Sequence, residues 1–455
     1  MKNSLILLGP ILAVAVGVMM TQSGSEAPAA WTAGVTFLCA TWWITEAIPI
    51  AATSLVPLAV LPMVGVLSPK QVGEAYGNEL ILLFLGGFML SAGMERSGAH
   101  RRIALHMVRW FGASSHRRIV FGFMTASAAL SMWISNTATI LMLLPIVLAV
   151  LERNDHSRLA QSLLLGVAYA ASIGGISTPI GTPPNLVFMQ NYATLTGQEP
   201  TFLQWMFWTL PITLIMLPCV ALWLTRRMPT STPLSIPAVG PWQAQEIRTL
   251  SVFAVTALLW VTRSEPLGGW SELLHLPQAS DASVALLAVV AMFVIPNGAG
   301  EKLLDWESAV RIPWGLLILY GGGIAIADAF RSSGLSESVG HTFTQVMDLP
   351  PLLLIGAICL VVTFLTEITS NTATATLLMP ILAAVASEAG MEPRLIMIPA
   401  TVSASFAFML PVATPTNAVV FGSGRLTVST MAREGLMINL FGVVVVTAIC
   451  WWMFG

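Results

Sequence analysis

Ser135-Asn136-Thr137-Ala138-Thr139 recurs 235 residues later as Ser370-Asn371-Thr372-Ala373-Thr374. Each copy lies inside an apolar run that ends in a proline at the same distance, Pro145 and Pro380. A second pair of polar islands trails them, Gly181-Thr182-Pro183-Pro184-Asn185 and Ala413-Thr414-Pro415-Thr416-Asn417, with Thr182 and Thr414 lying 47 and 44 residues behind the serines. Outside the islands, Pro62 and Pro296 (lag 234) and the pairs Gly86-Gly87 and Gly321-Gly322 (lag 235) keep the same register. The chain is therefore duplicated. Hydroxyl-rich and amide-rich islands in apolar sequence, arranged two and two, are the pattern expected of a membrane transporter with internal repeats.

Composition agrees. Of 455 residues 56% are hydrophobic and only 9% charged, with a mean hydropathy of +0.80, far above a water-soluble domain. A net charge of −2 implies no nucleic-acid partner. Tryptophans near the ends of apolar runs (Trp42, Trp43, Trp205, Trp208, Trp451, Trp452) are expected to form an interfacial belt. The four cysteines sit in apolar runs without ligand-like spacing and read as free buried thiols. The histidines fall mostly in connectors and read as solvated loop residues.

Windows of about 20 apolar residues place spans near 4–20, 31–48, 50–67 and 80–98. Residues 1–30 are read as an uncleaved first transmembrane helix rather than a signal peptide. From Ala99 to Arg118 five arginines surround an apolar stripe at helical spacing. That suits a helix lying along the interface with its arginines near lipid phosphates, or a solvated connecting arm. Residues 119–151 are too long for one crossing and too short for two, with the Ser-Asn-Thr island in the middle; this predicts a re-entrant hairpin. Residues 160–191 carry three prolines and three glycines between Gly174 and Asn185, which predicts a broken helix. A span at 205–225 closes the first repeat, 31–225, and the Pro-rich stretch 226–248 reads as a cytoplasmic linker.

The second repeat, 249–455, follows the same plan: spans near 249–263, 281–297 and 313–330, a hairpin at 351–388, a broken helix at 395–422 and a last span at 435–453. The expected fold is all-α and polytopic, with about 11 transmembrane helices plus two re-entrant hairpins. An odd number of crossings separates the hairpins, so they enter from opposite faces and the repeats are inverted. With the N-terminus cytoplasmic and the C-terminus external, 16 of the 20 Lys and Arg fall inside, leaving Lys70, Arg263, Arg331 and Arg394 outside.

Helix breaks expose N–H groups that favour anions and carbonyls that favour cations. No Lys or Arg lies in any island, so a bound dianion needs its charge offset by co-bound cations. Hard oxygen ligands suit Na⁺, and the clustered carboxylates of a Ca²⁺ or Mg²⁺ cage are missing from the islands. Interhelical hydrogen bonding is the blander use of Ser, Thr and Asn, but it does not explain a duplicated pair coupled to two Thr-Pro-x-Asn breaks. Four acidic residues lie at apolar depth. Glu95 beside Arg96 and Asp328 three residues before Arg331 are read as ion-paired or snorkelling, Glu46 lacks a sequence neighbour of opposite charge, and Glu367 is read as structural support for the second hairpin in preference to a proton relay. No nucleophile–base or metal constellation near the islands suggests an enzyme.

Both Ser-Asn-Thr motifs, the Thr-Pro elements at 182–183 and 414–415, and Trp42-Trp43-Ile44-Thr45-Glu46-Ala47-Ile48-Pro49 together resemble the divalent anion:sodium symporter family over essentially the whole chain. That family includes sodium-coupled dicarboxylate, citrate and sulfate carriers. The resemblance implies a homodimer in the inner cell membrane, in contact with its lipids, each protomer having a fixed scaffold and a mobile domain that moves as an elevator. It implies that Ser135, Asn136, Thr137, Thr182 and Pro183 with Ser370, Asn371, Thr372, Thr414 and Pro415 hold the substrate. It places one Na⁺ at Ser131, Ser135, Asn136 and Gly181 and a second at Thr366, Thr369, Asn371 and Ala413. With full Ser-Asn-Thr at both tips the chain resembles the carboxylate branch. The implied activity is Na⁺-driven uptake of succinate, malate or fumarate, with Na⁺ as a co-transported ion and no organic cofactor. The alternatives are Na⁺-independent dicarboxylate exchange or Na⁺-coupled carriage of sulfate or citrate.

Overall fold

The computed structural model describes residues 2–112, 114–152, 157–228, 240–264, 268–338 and 349–455. Much of the linker expected at 226–248, part of the charged connector after Glu152, and His156 and His341 lie outside the described residues. Among the described residues all regular structure is helical, apart from one isolated bridge between Pro296 and Lys302.

The helices form two packed groups. One contains Lys2–Gln22, Ala27–Thr45, Leu55–Met63, Glu79–Ser97, Ala244–Val261, Asp281–Val294 and Trp314–Ser332. Small residues let its helices approach: a Cβ on Gly86 would stand 2.6 Å from Ala285 Cβ, and one on Gly322 would stand 2.5 Å from the Ser54 carbonyl. The other group contains the two hairpins, the two broken helices, Phe202–Thr225 and Val428–Phe454. Its core is equally tight, since a Cβ on Gly174 would stand 2.2 Å from the Ala128 carbonyl.

Among the described residues, five helices are long and apolar enough to cross a membrane by length and composition, the last being Val428–Phe454. The single span expected at 50–67 is instead two short pieces, Ile50–Thr53 and Leu55–Met63. Ser54 marks the joint: its hydroxyl donates to the Ile50 carbonyl and accepts from Trp43 Nε1. The span expected at 281–297 ends at Val294, where Pro296 turns into the bridge with Lys302.

The tryptophan belt holds for only some of the six residues expected in it. Trp43, Trp205 and Trp208 are buried inside the protein, while Trp451 and Trp452 are exposed. The buried indoles act as tertiary donors, Trp43 to Ser54 and Trp205 to the Ile176 carbonyl. The arginine-rich arm forms the helix Ala99–Phe111, and Arg102 turns inward rather than toward lipid. Its guanidinium pairs with Glu246 at 2.7 Å and donates to the Gly240 and Pro241 carbonyls. His100 and His116 are likewise buried and not solvated. The cysteines are free; Cys39, Cys359 and Cys450 are buried and Cys219 is half-buried.

Candidate functional site

Both predicted hairpins are broken at their islands. The first consists of His116–Ser131 and Asn136–Glu152, the second of Pro351–Thr366 and Asn371–Glu388. Each second arm starts at the asparagine of Ser-Asn-Thr. The broken helices are Ser157–Gly175 with Pro183–Thr196, and Arg394–Ala404 with Pro415–Phe421. Each restarts at the proline of Thr-Pro, which suits a first helical turn because proline has no N–H to leave unpaired.

Unwound backbone away from water must find partners, and each unpaired group otherwise costs several kcal/mol. The islands supply them, in the same way twice. Asn185 Nδ2 donates to the Gly175 carbonyl (3.0 Å) and the Thr178 carbonyl (2.8 Å). Asn417 Nδ2 donates to the Ala407 and Leu410 carbonyls, 3.0 Å each, and these are the same stations 232 residues on. At the hairpins, the Ser131 hydroxyl donates to Asn136 Oδ1, and Thr366 Oγ1 lies 2.8 Å from Asn371 Oδ1 at the equivalent station. The duplication thus extends to individual hydrogen bonds.

One station breaks the symmetry. At the first hairpin the Met132 carbonyl accepts from the Thr178 hydroxyl. At the second, Glu367 takes the place of Met132, and its carboxylate gathers the unwound backbone. Oε1 accepts from Phe408 N (2.7 Å), Met409 N (2.9 Å) and Asn439 Nδ2 (2.7 Å), and Oε2 accepts from Leu410 N (3.1 Å). The carboxylate thereby ties the tip of the second hairpin to the unwound backbone at 408–410.

All four breaks open onto one cavity of about 1250 Å³. Ser135, Asn136, Thr137, Thr182, Pro183, Ser370, Asn371, Thr372, Thr414 and Pro415 all line it, as do Gly181, Thr369 and Ala413. Ser131 and Thr366 are buried behind the tips, where their hydroxyls reach the asparagine amides that do line the cavity. The Thr369 hydroxyl turns away into its own hairpin, toward the Leu365 carbonyl and Thr374 Oγ1. Gly175 gives Asn136 its room, because a Cβ there would stand 2.6 Å from Asn136 Oδ1.

Part of the wall comes from the other helix group and carries charge. Glu46, Glu95, Arg96 and Arg311 line it. Glu46 sits in the left-handed region at φ 47°, a conformation that costs a non-glycine residue about 1 kcal/mol or more. Arg96 does not pair with its neighbour Glu95; it reaches Glu301 (2.7 Å) and Asp305 (2.8 Å). Helix geometry explains this, since adjacent residues point about 100° apart. Asp328 does pair with Arg331, at 3.0 Å. Arg311 could not have been found from sequence, because only the tertiary fold brings residue 311 to this wall.

Comparison with known proteins agrees with this architecture. The sequence model of the citrate transporter family matches residues 40–397. The chain is 38% identical to a sodium-dependent dicarboxylate transporter of Staphylococcus saprophyticus, covering 98% of this chain and 90% of that protein. It is 37% identical, with the same coverage, to the protein of that name from Staphylococcus aureus. Among solved structures, the Alcanivorax borkumensis YdaH transporter aligns with a TM-score of 0.61 at 15% identity, covering 92% of this chain and 98% of that one. MtrF of Neisseria gonorrhoeae aligns with a TM-score of 0.58 at 15% identity, covering 86% and 84%. With near-complete coverage by such relatives, and with both Ser-Asn-Thr tips and both Thr-Pro breaks on one cavity, the chain belongs to the divalent anion:sodium symporter family.

Proposed function

We propose that this protein carries a C4-dicarboxylate such as succinate, malate or fumarate across the inner membrane together with sodium ions. The observation that carries the proposal is the convergence of four broken-helix islands on one cavity, in a chain whose relatives are sodium-dependent dicarboxylate transporters. The half-helices beginning at Asn136 and Asn371 place their N-termini at the cavity wall. Each such end carries roughly half a positive charge, so two carboxylates can be held at two tips without Lys or Arg. The hydroxyls of Ser135, Thr137, Ser370, Thr372 and Thr414 and the amides of Asn136 and Asn371 would position them.

Two sodium ions would offset the charge of the dianion. Ser131, Ser135, Asn136 and Gly181 supply only oxygen donors, as do Thr366, Thr369, Asn371 and Ala413, and such donors suit Na⁺. The hydroxyl–amide pairs Ser131–Asn136 and Thr366–Asn371 fit this role: a cation at each Asn Oδ1 would take the place of the hydroxyl proton, which at Thr366 has the Ala404 carbonyl, also at 2.8 Å, as its other acceptor.

The hairpins, broken helices, Phe202–Thr225 and Val428–Phe454 form the mobile carrying body in this reading, and the other group forms the fixed scaffold of a homodimer. Several features support an N-terminus inside and a C-terminus outside. Arg394, expected outside, stacks over Phe454 near the chain end. Arg96, Arg248 and Lys302, expected inside, gather around the Val294–Lys302 turn. In this reading the part of the cavity wall formed by Arg96, Ser308 and Arg311 lies on the cytoplasmic side.

The test is labelled succinate uptake by proteoliposomes with an inward Na⁺ gradient and with K⁺ in its place. Uptake only with Na⁺ is expected, abolished by Asn136→Ala or Asn371→Ala in protein that remains folded. Uptake equal in both salts and dependent on internal dicarboxylate identifies an exchanger. A second reading, Na⁺-coupled citrate carriage, draws on the family match; competition by citrate and by sulfate separates these substrates. Crosslinking in membranes tests the dimer.

A further inference from the structure

Trp133 lies in the turn of the first hairpin, between Ser131 and Ser135, yet its ring leaves the island. It stacks on Phe202 (centroids 6.0 Å, planes 15° apart) and on Trp260 (6.4 Å, 2°), and Phe202 stacks on Trp260 (4.5 Å, 12°). Phe202 and Trp260 are buried and Trp133 is half-buried. Trp133 and Phe202 belong to the helix group that contains the hairpins, and Trp260 to the other. Asp281, in the group of Trp260, closes the junction. Its Oδ2 accepts from the backbone N–H of Phe202 at 3.0 Å, its Oδ1 from Arg263 Nε at 2.6 Å, and its carbonyl from Trp260 Nε1 at 2.9 Å.

The N–H of Phe202 is the first of the helix Phe202–Thr225 and has no partner within that helix. A carboxylate is the strongest acceptor it could meet in a buried junction. The bond to Phe202 can break cleanly because Asp281 keeps Arg263, on its own side, as a partner. No buried charge is then left alone, which is the condition for a buried contact to be remade repeatedly. Among the described residues the second hairpin shows no such contact: Ile368, 235 residues after Trp133, is 73% exposed and lines the cavity.

We infer that Asp281 and Trp260 form a latch that holds the carrying body, through Phe202 and Trp133, against the scaffold in the conformation seen here. Asp281 and Trp260 are positioning residues. They touch neither substrate nor sodium, and they set the balance between this state and the one in which the carrying body has slid. A slide of a few ångströms takes Phe202 N beyond hydrogen-bond reach and unstacks three rings together, so release of the latch is a step in every crossing. The inference rests on the two-body reading above.

The test uses Leu141→Cys, a substitution at an exposed position on the cavity wall, in a Cys219→Ser background. Labelling by a membrane-impermeant maleimide is followed from each side of sealed vesicles. Trp260→Leu removes the scaffold's ring from the stack and leaves Arg263–Asp281 intact. It is expected to slow labelling severalfold from the side to which the cavity opens, to speed it from the other, and to change Vmax for uptake more than KM; Trp260→Phe restores the parent pattern. Unchanged labelling in Trp260→Leu protein with the parent's thermal unfolding overturns the latch, as does failure of Trp260→Phe to rescue. If Trp260→Leu does not fold, Trp133→Leu removes the mobile side of the stack with the same expectation. Labelling needs no substrate, so absent succinate uptake counts against the transport assignment, while unchanged labelling with intact uptake counts against the latch alone.

Discussion

Replacing Glu367 by glutamine tests how the second break is held. The carboxylate receives three donors on Oε1 and one on Oε2. Glutamine does best with its oxygen at the position of Oε1, which puts its NH2 against Leu410 N–H, donor facing donor. That strands one buried N–H, a cost of about 1–3 kcal/mol, and turns three charge-assisted bonds into neutral ones, a loss of about 1 kcal/mol each. Burying a neutral amide in place of an ion returns several kcal/mol. The net is a destabilisation of about 2 kcal/mol, roughly thirtyfold in the unfolding equilibrium. The assay is unfolding of purified protein in detergent, followed by circular dichroism. Glu367→Ala, which strands three backbone N–H groups and the Asn439 amide, should cost clearly more. If Glu367→Gln is as stable as the parent, or if alanine is no worse than glutamine, the carboxylate does not hold this backbone as described.

Gly175→Ala would place a Cβ 2.6 Å from Asn136 Oδ1; uptake should fall at least tenfold through a raised sodium requirement, read as half-saturating Na⁺, with only a modest loss of stability. Asn185→Asp replaces the donor to the Gly175 and Thr178 carbonyls by an acceptor facing acceptors, and should destabilise by about 2–4 kcal/mol, as should Asn417→Asp at the equivalent station. Parent-like unfolding in either would show that the amide does not close the break. Arg102→Gln leaves Glu246 buried without its cation; a loss of about 3–5 kcal/mol is expected, and a double variant with Glu246→Gln should recover part of it. Non-recovery in that double variant would mean the pair is not the source of the loss.

The repeat was legible because identical residues recur at a fixed lag, and backbone chemistry made the islands readable. A Ser-Asn-Thr midway along a run too long for one crossing, or a Thr-Pro set among glycines and further prolines, points to an interrupted helix, and an interrupted helix in lipid must be surrounded by protein or line a cavity. Hence sequence alone places Asn136, Asn371, Thr182 and Thr414 at breaks. The roles of Asn185 and Asn417 were within reach as well, since they stand at one offset from the carbonyls they cap. Residues that act across the fold were not legible. Nothing in local spacing tells Arg96 to prefer Glu301 and Asp305 over Glu95, sends Arg102 to Glu246, or turns Trp205 inward to Ile176.

By itself, then, the amino-acid sequence determined that the chain is helical, duplicated, built for lipid and broken at four polar stations, because these follow from hydropathy, periodicity and the lack of helix-compatible hydrogen bonding at Pro and Gly. Only the tertiary structure decided that the four stations share one cavity, that Glu367 rather than a second threonine–carbonyl contact secures the second break, and that Trp133 docks while Ile368 stays exposed. These depend on which distant helices pack together, and packing is a property of the whole folded chain that no local window of sequence contains.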